Sequence, residues 1–188
     1  RQGLSPEELR SLLDFGCGCG RVTRRWVDLH GPEICGSDRD ERAIEWCRTN
    51  LPFARFERNG LEPPLAFDDA RFDLVYALSV FTHLTADLQH RWIVELGRVI
   101  RPAGLLLLTT HGESYADGLH ADERRRFEGG ELVVRWEEVA GTNLCGAYHP
   151  ERWVRERLAR GFEVIDFEPQ GARGNPRQDL YVLRRLSS

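Results

Sequence analysis

There is no lysine and no methionine among these 188 residues, and all 26 basic side chains are arginine. The missing lysine excludes a P-loop, whose phosphate cradle requires Gly-Lys-Ser/Thr. Long apolar runs are missing too: the longest, around residues 105–108, is strand-sized and far short of the ~20 residues that span a bilayer. No block of like charge marks a nucleic-acid arm, and the net charge is −4 with pI near 5.9. The densest basic cluster, Arg124-Arg125-Arg126, stands among Asp122, Glu123 and Glu128, which reads as a solvated mixed-charge face. These absences predict neither a nucleic-acid nor a membrane partner and leave a small molecule. Five cysteines, an odd number without C-x-x-C spacing, argue against a disulfide scaffold or a zinc site and point to a reducing, cytoplasmic setting. Length and a 41% hydrophobic content suit one domain, residues 1–188, with a substantial core.

What is present begins at Leu12-Leu13-Asp14-Phe15-Gly16-Cys17-Gly18-Cys19-Gly20-Arg21. A short apolar run, an acid, three alternating glycines and a helix-like segment over 22–29 read as strand, tight turn, helix. Glycine at 16, 18 and 20 lets the backbone turn sharply, and a helix opening there would aim N–H groups at a ligand. A dinucleotide fingerprint would need its third glycine at 21, where Arg21 stands, so a nicotinamide oxidoreductase is the weaker alternative.

Short strands and helices then alternate. Strands are expected at 33–37, 55–59, 72–77 and 105–110, and helices at 40–51 and 86–100. In the latter, Thr85 is the cap and Leu88, Trp92, Leu96 and Val99 form one stripe. Ser5-Pro6-Glu7-Glu8 resembles a helix start, and Arg101-Pro102-Ala103-Gly104 a break. Residues 111–149 form an irregular insertion, longer than the ~2–6 residues of ordinary connections and suited to a substrate loop, with one strand expected at 131–136. A helix over 150–160 and two strands at 162–168 and 179–184, joined through 171–176 as an antiparallel hairpin, close the chain. The fold expected is α/β: a doubly wound, mostly parallel sheet of about seven strands with an antiparallel C-terminal hairpin strand.

The D-x-G-x-G-x-G pattern at Asp14–Gly20 resembles motif I of the class I S-adenosylmethionine (SAM) dependent methyltransferases. The segment running from helix through Arg-Pro-x-Gly into an apolar strand is similar to that family as well, with Ala103 where glycine is usual. The resemblance covers residues 12–110 closely and the final hairpin in outline, and it implies a Rossmann-like fold, SAM as cofactor and S-adenosylhomocysteine as product. It implies that Asp14, Gly16, Gly18 and Gly20 hold the amino acid end of the cofactor. Asp38, about 20 residues after the turn, would take the ribose hydroxyls, and a helix cap is the competing explanation. Asn59 stands where an acid commonly meets the adenine, and Arg39, Gly60, Ala77 and Leu78 complete the expected cofactor set. Residues 78–84 resemble the segment that lies between the sulfonium and the acceptor.

For a general base the candidates are His111, at the end of the fifth strand and ranked first, then His83 on the acceptor side and His149 before Pro150. Tyr115 and Tyr148 are candidate pocket walls. A packing or capping role explains each of these residues as well. Methyl transfer to a small-molecule or sugar-type acceptor, at oxygen or nitrogen and without a metal, is the activity expected. A SAM-binding protein without turnover is the alternative.

Overall fold

A computed structural model describes residues 8–174 and 177–187, so the helix start expected at Ser5 and the last two residues of the 171–176 link lie outside the described residues. Seven strands form one sheet in the order β3-β2-β1-β4-β5-β9-β8. They are β1 (Ser11–Phe15), β2 (Glu33–Asp38), β3 (Arg55–Arg58), β4 (Phe72–Ala77), β5 (Ile100–Thr110), β8 (Phe162–Ala172) and β9 (Gln178–Arg185). Every neighbour pair from β3 to β5 is parallel, and β9 runs antiparallel to both β5 and β8. The doubly wound sheet with one reversed strand is therefore as expected.

Strand order reverses beside β1: the chain moves outward through β2 and β3, then returns to place β4 on the other side of β1. In such sheets the crevice at the carboxyl ends of the strands flanking this switch point is where ligands bind. β1 is buried along its whole length, as a central strand of Leu12, Leu13 and Phe15 should be. Helix α2 (Ala86–Val99) covers the sheet with the predicted stripe, all four of its residues buried, and Trp92 packs on Phe15 with ring centroids 4.7 Å apart. Helix α1 (Glu41–Asn50) is capped by Asp40, whose carboxylate accepts from the Arg42 and Ala43 N–H groups. The capping explanation offered for Asp38 thus belongs to Asp40.

Three elements differ from expectation. The helix over 22–29 is only a 3-10 turn, Thr23–Trp26. Its side chains are drawn into cross-ties instead of a helical ladder: Thr23 Oγ1 donates to Asp14 Oδ2 at 2.5 Å and Trp26 Nε1 donates to Tyr76 OH at 3.0 Å. The helix dipole expected behind the glycine turn is correspondingly small, since so short a segment sums few peptide dipoles.

The Arg101–Gly104 break is instead the irregular start of β5, which pairs Ile100 with Phe72 and then shifts register before Leu105 meets Leu74. Arg101 is anchored on the buried Asp73 carboxylate at 2.6 Å. Ala103 carries φ +63°, the left-handed region that costs an L-residue roughly 1–2 kcal/mol, against roughly 0.5–1 kcal/mol of extra unfolded-state entropy for glycine. Ala103→Gly should therefore raise the unfolding free energy by up to about 1 kcal/mol, seen as a higher urea midpoint at unchanged slope. A lower midpoint would show that the alanine methyl is needed for packing.

The insertion is ordered. It contains a 3-10 turn (Glu113–Gly118), helix α3 (Ala121–Glu128), and strands β6 (Val133–Arg135) and β7 (Gly146–Tyr148) paired antiparallel in a small second sheet. Phe127 of α3 and Val133 of β6 are buried in one small cluster, which is why periodicity too short to read in isolation still gives structure. The arginine cluster is paired as the mixed charges suggested, Arg124 with Glu128, Arg125 with Asp122 and Arg126 with Glu131. After Pro150 the helix starts at Glu151–Trp153 and widens into a π-helical turn, Val154–Leu158.

Candidate functional site

A cavity of about 1060 Å³ opens at the switch point, between the glycine turn, the ends of β2 and β3, and the segment after β4. Ligand sites commonly hold ~300–1,000 Å³, so this one has space for a cofactor and a second small molecule together. Of the residues expected to bind cofactor, Gly16, Gly18, Asp38, Arg39, Asn59, Gly60 and Leu78 line it. The three glycines of the turn all have positive φ, and a Cβ on Gly16 would strike Val80 at 2.3 Å, so this glycine lets the post-β4 segment close against the turn. A Cβ at Gly18 would meet nothing, which leaves the turn open to the cavity at that point.

Asp38 ties the turn to α1: its carboxylate accepts from Gly18 N–H at 2.7 Å and from Asp40 N–H at 2.8 Å. Asn59 Oδ1 accepts from Ser37 Oγ at 2.5 Å and its amide donates to Gly60 O at 2.7 Å, so both ends of this side chain are held at the cavity wall. The turn spends several N–H groups on itself: those of Gly16 and Cys17 donate to Ser37 O, and that of Gly20 to Cys17 O. The ligand-facing comb expected from the glycine pattern is therefore thinner than predicted. Around the rim stand three carboxylates, Asp38, Asp40 and Glu41, and three guanidinium groups, Arg21, Arg39 and Arg42. That balance fits a ligand bearing both charges, as an amino acid moiety does.

Three expected contacts are not at the cavity. Asp14 is buried behind the turn, where it braces Thr23; burial pushes its carboxyl up to about 6, against hydrogen bonds from Thr23 and Tyr76 that work the other way. Gly20 faces α1, with Leu51 Cδ1 standing 2.4 Å from where a Cβ would be. Ala77 is sealed in the core.

The histidines separate in the same way. His83 lines the cavity, with Nδ1 2.7 Å from Cys145 O. A carbonyl only accepts, so Nδ1 carries the proton and Nε2 is left as the basic nitrogen. His111, ranked first from sequence, does not line the cavity. It lies behind His83 with ring centroids 6.5 Å apart, tilted against Tyr115 at 4.2 Å and beside Tyr148 at 5.7 Å. Burial, with His83 nearby, pushes His111 down to about 4. Tyr115 and Tyr148 stand with it, outside the cavity lining.

His149 is fully buried, its Nε2 donating to Gln89 Oε1 at 3.1 Å, and burial pushes it down to about 3. The unfolded chain, titrating near 6.5, therefore binds more protons than the fold between about 6.5 and 3, and stability falls as pH drops through that window. Asp14, raised in the fold, opposes this below about 6. His149→Gln isolates the histidine: its urea midpoint should drop less between pH 7 and pH 5 than that of wild type. Equal drops would remove His149 as a source of acid sensitivity.

Ser79, within the 78–84 segment expected beside the sulfonium, lines the cavity, and so do Arg21 and Trp92, which were not expected there; of the insertion expected as a substrate loop, Gly141, Thr142 and Asn143 reach the lining. The insertion is fastened over the mouth by Gly141 N–H to His83 O at 2.7 Å and by Arg39 Nη1 to Ala140 O at 3.2 Å. Gly141 is required there by its φ of +78° and by Arg39 Nη1, which a Cβ would strike.

Residues 12–104 match the family model of the methyltransferase domain. A ubiquinone biosynthesis O-methyltransferase of Maricaulis maris is 31% identical over 186 residues, covering 96% of this chain and 69% of that protein. An O-methyltransferase of Penicillium expansum is 24% identical over 98% of this chain and 63% of its own length. The chain thus spans about two thirds of the length of these relatives. A SAM-dependent methyltransferase structure from Methanosarcina mazei superposes with TM-score 0.73 at 21% identity, covering 98% of this chain and 95% of that one. The chain belongs to the class I SAM-dependent methyltransferases, whose methyl donor is S-adenosylmethionine.

Proposed function

We propose that this chain transfers a methyl group from SAM to an ionisable hydroxyl of a small molecule, with His83 as the general base. The observation that carries the reading is His83 itself, a cavity-lining imidazole whose Nδ1–H is committed to Cys145 O and whose Nε2 is left to accept a proton. The relatives named as O-methyltransferases support oxygen as the acceptor atom.

The glycine turn at Gly16 and Gly18 and the Asp38 carboxylate would hold the cofactor, with Asn59, Gly60 and Leu78 along its length. Bound SAM supplies an electrophilic methyl group on a positively charged sulfur. The protein's part is to fix the acceptor in line and keep water out, where orientation is worth up to ~7–11 kcal/mol. His83 Nε2 takes the proton that the acceptor hydroxyl loses, and the Cys145 carbonyl stabilises the imidazolium through Nδ1–H. His111, held outside the cavity, has no part in this step.

Radiolabelled methyl transfer to matched phenolic and anilinic acceptors tests the reading. Ether products, with a loss of kcat/KM in His83→Ala that is deeper for an acceptor protonated at the assay pH than for one already ionised, are the expected result. N-methylation with equal losses for both acceptors would refute it.

A further inference from the structure

Ser79 is a strained residue at the cavity wall. Its φ of +61° lies in the left-handed region, where serine is uncommon, and such strain persists only where neighbouring structure enforces it. What enforces it is a closed circuit of hydrogen bonds through two buried residues of other strands. Ser79 N–H donates to Thr109 Oγ1 at 2.8 Å, Thr109 O–H donates to Gln178 Oε1 at 2.5 Å, and the Gln178 amide donates back to Ser79 Oγ at 2.8 Å. Thr109 is 1% exposed and Gln178 5%.

Each link has a direction. A backbone N–H can only donate, so Thr109 Oγ1 accepts from Ser79, while its own hydrogen goes to Gln178 Oε1. The NH2 end of the Gln178 amide faces Ser79 Oγ and lies 3.3 Å from His111 Nε2. Ser79 Oγ is an acceptor within the circuit, and its own hydrogen points elsewhere. Among the described residues the other polar atom in reach is Thr82 Oγ1 at 3.4 Å, the weak end of the hydrogen-bond range. The cavity is the remaining direction.

We propose that Ser79 binds the acceptor, its hydroxyl hydrogen held toward the cavity by Gln178 as a positioning residue. Ser79 donates and His83 accepts on the same wall, four residues apart across the 3-10 turn Phe81–His83. This pair selects acceptors in which the hydroxyl to be methylated stands next to a second, hydrogen-bond-accepting oxygen: vicinal diphenols or hydroxy-carboxylates. The inference rests on His83 being the base, as above, and adds the substrate class.

The test is kcat/KM with labelled SAM for catechol, salicylate and phenol, using wild type, Ser79→Gly and Gln178→Glu, with S-adenosylhomocysteine binding to wild type measured alongside. Glycine suits the left-handed backbone better than serine does, so Ser79→Gly should fold with an undiminished thermal midpoint. Wild type is expected to prefer the two-oxygen acceptors to phenol by at least about tenfold, the order of one hydrogen bond. Ser79→Gly should abolish that preference. Gln178→Glu should do the same with Ser79 still present, because a carboxylate accepts the serine hydrogen and turns it from the cavity; the double variant should lose nothing more. A preference intact in Ser79→Gly overturns the proposal. So does wild type that binds S-adenosylhomocysteine yet shows no preference, or no turnover, with these acceptors. Absent S-adenosylhomocysteine binding would instead reject the methyl-transfer reading beneath it.

Discussion

Replacing His83 by alanine is expected to lower kcat by about 10²- to 10⁴-fold, the range that a positioned general base contributes. The loss should be deepest for acceptors that hold their proton tightly and shallow for those already ionised at the assay pH. Two effects are combined in this variant, since His83 also fastens the insertion through Nδ1 to Cys145 O and through its backbone carbonyl to Gly141 N–H. The backbone tie survives substitution and the imidazole tie does not. Cofactor affinity, read with S-adenosylhomocysteine, separates them: loss of the base alone leaves it near wild type, whereas a loosened insertion weakens it along with kcat. A variant that turns over at the wild-type rate on a protonated acceptor would exclude His83 as the base.

Asp38→Ala is expected to weaken S-adenosylhomocysteine binding by at least about tenfold, in line with ~1.5–3 kcal/mol for a hydrogen bond to a charged group. Asp38 closes the distance between the glycine turn and the start of α1, accepting from Gly18 and Asp40 N–H groups at once. Its removal therefore costs the arrangement of the turn as well as the cofactor contact proposed for it. Asp38→Asn retains one accepting oxygen and should fall between alanine and wild type. Unchanged affinity in a folded Asp38→Ala protein would show that the acid serves α1 alone.

The sheet was legible because its signals are local and redundant. Apolar runs such as Leu12–Phe15 and Phe72–Ala77, a stripe from Leu88 to Val99 and glycine turns each mark an element independently of the rest. The cavity wall at Gly16, Gly18 and Asp38 was legible for the same reason, since these residues sit at or just beyond strand ends fixed by the order of elements. What sequence could not show was direction. Asp14 and Gly20 belong to the glycine motif yet face inward, because Thr23 and Leu51 stand there to receive them.

The acceptor side was hidden for a second reason: it is assembled from pieces far apart in the chain. Nothing near Ser79 announces that Thr109 and Gln178 enforce its backbone, and nothing near His83 announces Cys145, 62 residues away. His111 ended the expected strand at the expected edge, but the insertion packs Tyr115 and Tyr148 around it and leaves the cavity to His83. Long-range hydrogen bonds of this kind leave no periodicity to read.

One titration tests the central claim that the switch-point cavity holds an adenosyl sulfur cofactor: calorimetry of the protein with S-adenosylhomocysteine and with NADH in parallel. Binding of S-adenosylhomocysteine in the micromolar range, about −8 kcal/mol, with no heat from NADH is the predicted result. Binding of NADH, or none of S-adenosylhomocysteine, would contradict it.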